Sequence, residues 1–277
     1  MSTSTSDLDP YVLGAADQEQ QRLILQSDAY EPATEDALRR AGVGPGMDVL
    51  DVATGPGGVA LIAARLVGAR GRVTAVDRSA QMVTLARRRV AAAGYGTDRV
   101  RVEQADLTAW TPPQTYDAVV GRLILMHLED PVGVLRRLAA AVRPGGVLVM
   151  ADFVMSASRQ QPPGPQFTAG IQRILDTFQA VGRPTDFGLE VPSLYRAAGL
   201  PSPQMALGGV VEYGADGVTY AMLAEVTRTL LPVMERTGIV HPGRVVASRL
   251  EADLRAEATA LDATALPPLL VTAWSRL

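Results

Sequence analysis

Residues 48–60 read Asp-Val-Leu-Asp-Val-Ala-Thr-Gly-Pro-Gly-Gly-Val-Ala and join three features in one short stretch. An apolar strand pattern contains an acid, Asp51, a turn rich in glycine follows at Gly55 and Gly57, and an Ala-rich helical run then begins. Glycine lets a ligand approach backbone N–H groups, and a helix N-terminus carries partial positive charge. A second acid, Asp77, closes the next predicted strand. The pattern predicts a nucleotide-like cofactor on an α/β sheet.

The composition of this 277-residue chain excludes several kinds of chemistry. There is no cysteine, and all 26 basic residues are arginines, so disulfides, thiolate catalysis, a Walker lysine and a pyridoxal-phosphate Schiff base are excluded. The only histidines are His127 and His241, so we expect no metal site. A net charge of −3 gives no reason to expect nucleic acid or an anionic membrane as a partner.

The sequence shows neither a membrane span nor a secretion signal. No apolar run reaches the roughly 18 residues that a spanning helix needs. The first residues, Met-Ser-Thr-Ser-Thr-Ser-Asp, lack the basic and apolar regions of a signal peptide. We therefore expect a soluble protein of the cytoplasm. A helical N-terminal segment leaves pairing into a homo-oligomer open.

Strand and helix patterns alternate regularly from Met47 onward, after two predicted N-terminal helices at 11–28 and 34–41. Strands are predicted at 47–52, 72–76, 99–104, 116–120 and 146–152, and helices at 57–67, 79–93 and 130–142. Connections of this length are too long for hairpins and indicate a parallel sheet with helices on both faces.

The rhythm changes after Asp152. The predicted elements are an amphipathic helix at Phe167–Ala180, a short helix at Val191–Ala198, a strand at Met205–Tyr213, helices at Val218–Met234 and Pro242–Ala260, and a strand at Leu269–Trp274. Two late strands around a helical insertion suggest an antiparallel sheet edge. We expect an N-terminal helical cap (1–40), a cofactor-binding core (41–155) and a C-terminal half (156–277) that contains a substrate lid at about 215–261.

The glycine turn by itself fits more than one cofactor. Gly55-x-Gly57-x-x-Ala60 satisfies the dinucleotide fingerprint, with Asp77 in the ribose position. A carboxylate at Asp51 would repel a pyrophosphate, however, and suits a cofactor that carries an ammonium or sulfonium charge. Asp106 adds an acceptor at the same sheet edge, where a purine amino group can donate. These acids favour a cationic adenosyl cofactor over a dinucleotide.

The chain resembles the class I S-adenosylmethionine-dependent methyltransferases, especially small-molecule enzymes of bacterial secondary metabolism and quinone biosynthesis. The resemblance covers about residues 40–155 and rests on the motifs Val49–Gly57, Val76–Ser79, Gln104–Leu107, Tyr116-Asp117, His127–Pro131 and Leu138–Val149. It implies a Rossmann-like sheet of seven mostly parallel strands. Ala53 departs from the pattern, because the family often has its first glycine there.

The resemblance also implies the cofactor, S-adenosylmethionine, with S-adenosylhomocysteine as product, and roles for individual residues. It assigns the backbone at Ala53, Gly55 and Gly57 to the methionine part, Asp77 to the ribose hydroxyls, Arg78 and Met82 to the adenine face, and Asp106 with the Leu107 N–H to the adenine amino edge. Two carboxylate oxygens match a vicinal diol, which supports Asp77 in that role.

Three further residues have less definite roles. Arg122 follows the fourth strand, where it either contacts substrate or pairs with an acid such as Asp51. His127 is the base of suitable pKa near the predicted site, but it is equally a helix lead-in in relatives of different chemistry. Tyr11 lies on an N-terminal helix of the kind that covers the cofactor carboxylate in related enzymes, or it belongs to an ordinary amphipathic cap.

We therefore expect an enzyme that transfers a methyl group from S-adenosylmethionine to a small molecule, in the order O, C, N of preference for the acceptor atom. A secondary metabolite is the expected substrate class. One alternative is an enzyme of the same fold that binds the cofactor but catalyses a cyclisation or rearrangement without methyl transfer. Another, an NAD-dependent oxidoreductase, is disfavoured by Asp51 and by the absence of lysine.

Overall fold

The computed structural model describes residues 17–277, with side chains from Glu19 onward, and the chain divides into two compact units. We call the first the sheet unit; it comprises residues 26–154, 186–209 and 269–277. We call the second the insertion unit; of the described residues it contains 17–25, 155–185 and 210–268. The expected division at residues 40 and 155 differs from this one, because the chain leaves the sheet twice and returns to it twice.

Nine α-helices and ten strands are formed within residues 17–277. The helices are α1 (Asp17–Ala29), α2 (Glu31–Arg40), α3 (Gly58–Val67), α4 (Ala80–Ala92), α5 (Pro131–Ala140), α6 (Pro165–Ala180), α7 (Phe187–Ala197), α8 (Val218–Arg236) and α9 (Leu250–Leu261). The strands are β1 (Asp48–Val52), β2 (Arg72–Asp77), β3 (Val100–Gln104), β4 (Tyr116–Arg122), β5 (Val142–Val154), β6 (Arg159–Gln161), β7 (Gln204–Gly208), β8 (Glu212–Tyr213), β9 (Thr264–Leu266) and β10 (Leu269–Arg276). Among the described helices, none has the length and apolarity to span a bilayer.

The sheet unit is built on seven strands in the order β3-β2-β1-β4-β5-β10-β7. The strands from β3 to β5 run parallel, whereas β10 is antiparallel to both of its neighbours. The predicted mostly parallel seven-stranded sheet with an antiparallel edge is confirmed. Strand order reverses between β1 and β4, and ligands of such sheets bind at the carboxyl ends of the strands at this point.

Helices bury both faces of the sheet. On one face, Val49, Val149 and Trp274 lie in a single hydrophobic cluster with residues of α3 and α4. Because side chains alternate along a strand, Val271 of β10 points to the opposite face. There the first turn of α7 packs so closely that a Cβ at Gly188 would lie 3.0 Å from the Val271 Cβ. Burial on both faces explains why these strands are continuous apolar runs in the sequence.

The insertion unit has its own small sheet and its own core. Its three strands are antiparallel in the order β6-β9-β8. Helices α6, α8 and α9 bury a cluster that includes Leu230, Met234 and Leu254. The Phe167 and Tyr220 rings pack edge to face with centroids 6.1 Å apart.

Carboxylates from other elements cap the N-termini of two helices of the insertion unit. The Glu257 side chain on α9 accepts the backbone N–H groups of Gln166 and Phe167, at 2.8 and 3.0 Å, in the first turn of α6. The Glu212 side chain on β8 does the same for the first turn of α8. A helix leaves its first N–H groups without partners inside the helix, and an anion there is stabilised by the helix dipole. These contacts therefore fix the helices to their neighbours.

The predicted single strand at Met205–Tyr213 is wrong. The structure divides it into β7, which is the edge of the large sheet, and β8, which belongs to the small sheet. β7 ends at Gly208, Gly209 follows it, and glycine weakens strand pairing. Apolar residues on both sides of this glycine pair concealed the break.

The predicted helix at Pro242–Ala260 begins too early, because α9 starts only at Leu250. Residues 242–249 form turns instead. Gly243 has a φ of +77°, outside the helical region, and it is followed by the β-branched pair Val245-Val246, which disfavours helix. The small strands β6 and β9 were not predicted from the sequence, since three residues are too few to show a period.

We predict that Tyr195→Phe will lower the free energy of unfolding by about 1–2 kcal/mol. The Tyr195 ring is fully buried, and its hydroxyl shares one proton between the carbonyl oxygens of Leu148 and Ala273, at 3.1 and 3.2 Å. Tyr213→Phe is the matched control, because that hydroxyl donates to Asp262 from an exposed ring. Urea denaturation measures both changes, and equal losses in the two variants would contradict the prediction.

Candidate functional site

The loop after β1 has an alternating left-handed backbone. Ala53, Gly55 and Gly57 have φ angles of +54°, +53° and +85°. At Gly57 a Cβ would also lie 3.1 Å from the Ala86 Cβ, so both backbone and packing favour glycine. At Gly55 no atom lies within 4 Å of the Cβ position, which leaves space above the backbone. The loop and the first turn of α3 form a glycine cradle, which we define as residues 53–58.

The Asp77 carboxylate holds this cradle in place. One oxygen accepts the Gly55 N–H at 2.9 Å, and the other accepts the Ser79 N–H, also at 2.9 Å. Burial raises the pKa of Asp77, and these two backbone hydrogen bonds act against that rise. Each carboxylate oxygen has a second lone pair, so Asp77 retains the capacity to accept two hydroxyl groups.

Asp51 is a buried carboxyl beneath the cradle. Its Oδ2 accepts the Thr54 hydroxyl at 2.5 Å, and its Oδ1 has no hydrogen-bond partner among the described residues. Burial raises the pKa of Asp51 to about 7, while the hydrogen bond from Thr54 and the charge of Arg122 oppose the rise. An unpaired buried carboxyl oxygen is costly unless a donor satisfies it. The position therefore suits a cationic or hydrogen-bond-donating ligand group.

The segment after β3 lies beside Asp77, because the Ala105 N–H donates to the Asp77 carbonyl at 2.9 Å. Asp106 is exposed, and its Oδ1 accepts the backbone N–H and the hydroxyl of Thr108, which lowers its pKa. Leu107 is buried, and its carbonyl accepts the Arg137 guanidinium at 2.7 Å. The predicted residues Asp106 and Leu107 are thus brought to the same sheet edge as Asp77.

Arg78 and Met82 follow Asp77 on the turn into α4. The Arg78 side chain is exposed, and its carbonyl accepts the Gln104 amide at 2.9 Å. The Met82 side chain is buried, and its N–H donates to the Ser79 hydroxyl that begins the helix. Met82 is therefore a buried apolar side chain in the first turn of α4, and Arg78 is an exposed one just before that helix.

Arg122 ends β4 and binds two hydroxyls of the N-terminal helices. Its guanidinium donates to Thr34 at 2.8 Å and to Ser27 at 3.0 Å. Burial lowers the pKa of Arg122 to about 10, and the nearby charge of Asp51 acts in the opposite direction. Arg122 therefore stays protonated at neutral pH. The predicted roles were contact with substrate or pairing with an acid such as Asp51, and the hydrogen bonds that Arg122 makes here go to hydroxyl groups.

The turn after β4 contains the predicted catalytic residue. Leu123 has a φ of +59°, which is rare for a residue with a branched side chain, and its N–H donates to the Ala151 carbonyl at 2.8 Å. A 3₁₀ turn at Leu125–His127 follows, and the His127 side chain is half-buried. Ala53 and Leu123 are therefore two left-handed residues at the ends of the neighbouring strands β1 and β4. Such backbone strain occurs often at functional sites.

Asp152, near the end of β5, was missed as a site residue. Its side chain is buried, Oδ1 accepts the Phe153 N–H at 2.9 Å, and Oδ2 has no hydrogen-bond partner in the part of the chain that the structure describes. Burial raises the pKa of Asp152 to about 7. In the sequence Asp152 only marks the end of an apolar run. A carboxyl that interrupts a fully buried strand was the available signal.

One predicted residue, Tyr11, lies outside the described residues. Arg22 of α1 is buried, and it binds both oxygens of Glu19 through Nε and Nη2 at 2.7 Å. This part of α1 thus contains a buried ion pair.

Comparison with known proteins assigns this arrangement to a family. Residues 44–180 match the family model described as "Methyltransferase domain". The chain belongs to the class I S-adenosylmethionine-dependent methyltransferase family. The matched residues include the glycine cradle, Asp77, Asp106, Arg122, His127 and Asp152.

Curated relatives of this methyltransferase-family chain are similar to it over part of their length. The ubiquinone/menaquinone biosynthesis C-methyltransferase UbiE of Hahella chejuensis is 34% identical over 117 residues, which are 42% of this chain and 47% of the relative. The chain spans about half the length of the first curated relatives it matches.

Two solved structures share the fold. A SAM dependent methyltransferase from Aquifex aeolicus is 22% identical, has a TM-score of 0.51, and covers 72% of this chain and 93% of its own. The [4+2]-cyclase SpnF is 19% identical, has a TM-score of 0.53, and covers 90% of this chain and 82% of its own. At these identities the likeness concerns the fold alone.

We predict that Asp51→Asn will stabilise the protein above pH 7 and not at pH 4. Burial raises the pKa of Asp51 in the folded state to about 7, whereas its unfolded value is about 3.9. The folded protein therefore holds this proton more tightly than the unfolded chain. That contribution to stability is complete below about pH 4 and is lost as the pH rises through 7. The gain at pH 8 should be on the order of 2–4 kcal/mol. Thermal unfolding across this pH range measures it, with the exposed Asp36→Asn as control. A gain that is independent of pH would contradict the linkage.

Proposed function

We propose that this chain binds S-adenosylmethionine at the glycine cradle and transfers its methyl group to a small-molecule acceptor. The observation that carries the proposal is the hydrogen bond from the Gly55 N–H to Asp77, beside a buried Asp51 carboxyl whose Oδ1 has no partner among the described groups. This combination offers open backbone, an acceptor for a diol and an acceptor for a cation at one sheet edge.

The side chains at this edge fit such a cofactor and do not fit a pyrophosphate. Asp51, Asp77 and Asp106 supply three carboxylates at this edge, and these would repel a pyrophosphate. Asp51 Oδ1, buried and without a partner among residues 17–277, suits an ammonium or sulfonium group. The space above Gly55 admits a ligand against the backbone. We therefore assign the cradle to a cationic adenosyl cofactor rather than to a dinucleotide.

In this proposal each side chain has a binding or orienting task. Asp77 accepts the ribose hydroxyls, and Asp106 with the Leu107 N–H binds the amino edge of the adenine. Met82 packs against the adenine ring, with Arg78 at its outer side. Asp51 provides the counter-charge, and Arg122 keeps a positive charge close enough to lower the pKa of Asp51.

When bound, the cofactor supplies an electrophilic methyl group on a sulfonium sulfur. The protein then needs to hold the acceptor in line with that group and exclude water, which accounts for much of the acceleration of such transfers. His127 is retained as a candidate proton acceptor. An oxygen acceptor on a secondary metabolite is the preferred substrate class, ahead of carbon and nitrogen. The assignment of residues 215–261 as a substrate lid also remains part of the proposal.

Methyl transfer is tested with S-adenosylmethionine labelled in the methyl group and a panel of phenols, hydroxyquinones, amines and carboxylic acids. Label in an organic product and formation of S-adenosylhomocysteine support the proposal. Turnover of an acceptor without label transfer would indicate a cyclisation or rearrangement. Failure to bind S-adenosylhomocysteine in calorimetry would remove the cofactor assignment altogether.

We predict that Asp77→Asn will weaken S-adenosylhomocysteine binding by roughly 30-fold or more. The change removes the negative charge of a side chain that accepts the Gly55 N–H and, in the proposal, two ribose hydroxyls. Hydrogen bonds to a charged group contribute about 1.5–3 kcal/mol each, and 1.4 kcal/mol corresponds to about tenfold in affinity. Isothermal titration calorimetry measures the dissociation constant. Asp98→Asn, at an exposed acid, is the control and should bind as the parent does. An unchanged affinity in Asp77→Asn would contradict the assignment of Asp77 to the ribose hydroxyls.

A further inference from the structure

The Asp152 carboxyl is anchored on one side and unpaired on the other. Its Oδ1 accepts the Phe153 N–H at 2.9 Å. Its Oδ2 makes no hydrogen bond with any residue that the structure describes. The carboxyl is therefore anchored through one oxygen, and the other can still accept a hydrogen bond.

The strand register brings Asp152 to the sheet edge that carries the glycine cradle. Val52 of β1 pairs with Gly121 of β4, and Gly121 pairs with Met150 of β5. Ala53 and Ala151 therefore lie at the same height along the strands. They are separated by the width of two strand spacings, about 10 Å. Asp152 is the next residue toward the carboxyl end. A molecule that rests on the cradle would reach it by extending past the end of β4 toward the α7 side of the sheet.

Side-chain alternation separates the tasks of the two buried acids. Asp51 is paired with Val120, and Val120 is paired with Val149, so these three side chains lie on one face of the sheet. Asp152 is three residues after Val149, and because side chains alternate along a strand, its carboxyl points to the opposite face. Asp51 faces the α3 side, where the cradle lies. Asp152 is level with Val271 and faces the α7 side. The cofactor-holding acid and Asp152 are therefore distinct positions.

One acidic side chain acts on Asp152 electrostatically. Burial raises the pKa of the Asp152 carboxyl to about 7, and the like charge of Glu190 on α7 adds to this rise. A substrate carboxylate at this position would add a third negative charge at low dielectric, which is strongly unfavourable. A neutral hydroxyl would instead satisfy Oδ2 by donating to it.

We propose that Asp152, in place of His127, receives the proton of a neutral hydroxyl acceptor, so the substrates are phenols or enols rather than carboxylic acids. The proposal rests on the proposed methyl transfer. Asp152 Oδ2 takes the hydroxyl proton while the hydroxyl oxygen bonds to the methyl carbon. The sulfur keeps the electron pair of the broken carbon–sulfur bond. The products are a methyl ether, a neutral thioether and protonated Asp152, which balances the reaction.

The test compares matched acceptors and one isosteric variant. Parent protein, Asp152→Asn and Glu129→Gln are each incubated with methyl-labelled S-adenosylmethionine and with phenol and benzoic acid pairs that differ only in the acceptor group. Glu129 is an exposed acid close to His127 in sequence and serves as the control. Alkali releases label from methyl esters but not from methyl ethers, so the acceptor class is identified without knowing the natural substrate.

We expect alkali-stable label with the parent and with Glu129→Gln. Asp152→Asn should lose about 100-fold or more in kcat, as expected for removal of a proton acceptor. Its melting temperature should not fall, and its affinity for S-adenosylhomocysteine should be unchanged. In the parent, the rate should rise as the pH increases through about 7, and this rise should be absent in Asp152→Asn. Glu190, the charged neighbour of Asp152, is present in both proteins.

A second readout does not depend on turnover. Calorimetry on the S-adenosylhomocysteine complex should show that the parent prefers the phenol to its matched benzoate, and that Asp152→Asn loses this preference. Alkali-labile label, or an unchanged rate and an unchanged preference in Asp152→Asn, would overturn the role of Asp152. If S-adenosylhomocysteine binds but neither acceptor class is labelled, the proposed methyl transfer fails and this proposal falls with it.

Discussion

Two loops that are distant in sequence donate to one carboxylate, that of Asp77. The Gly55 N–H comes from the turn after β1, and the Ser79 N–H comes from the turn after β2. Without this acceptor the Gly55 N–H would lose its partner, and a loop with three left-handed residues would keep only the backbone hydrogen bonds of Thr54 and Gly57. The backbone surface of the cradle and the position of the first turn of α4 both depend on this interaction.

Most elements between residues 47 and 152 could be predicted because the central strands β1 and β4 are largely buried and because α4 and α5 have clear starts at Ser79 and Asp130. The insertion unit was less predictable, because two of its helices are capped by side chains of other elements. Glu212 of β8 caps α8, and Glu257 of α9 caps α6. Among the site residues, Asp77 and the glycines follow from local spacing. Asp152 does not, because its significance comes from register with a strand that lies elsewhere in the chain.

The buried acids have opposite consequences for stability and for chemistry. Asp51 and Asp152 each have one carboxyl oxygen without a partner among the described residues, and burial raises the pKa of both to about 7. Hydrophobic residues at these positions would make a more stable sheet. A sheet that retains carboxyls there sacrifices folding free energy to keep acceptors ready in a dry environment, where hydrogen bonds to them are strongest.

The β7–β10 ladder has a consequence for how such a fold diversifies. Gly208, the last residue of β7, is directly opposite Leu270 of β10, and residues 210–268 between them belong to the insertion unit. Paired residues of antiparallel strands are about 5 Å apart. Any polypeptide whose ends meet across that distance can therefore be grafted between them at little cost to the sheet. Exchange of this segment would leave all seven strands and the glycine cradle in place.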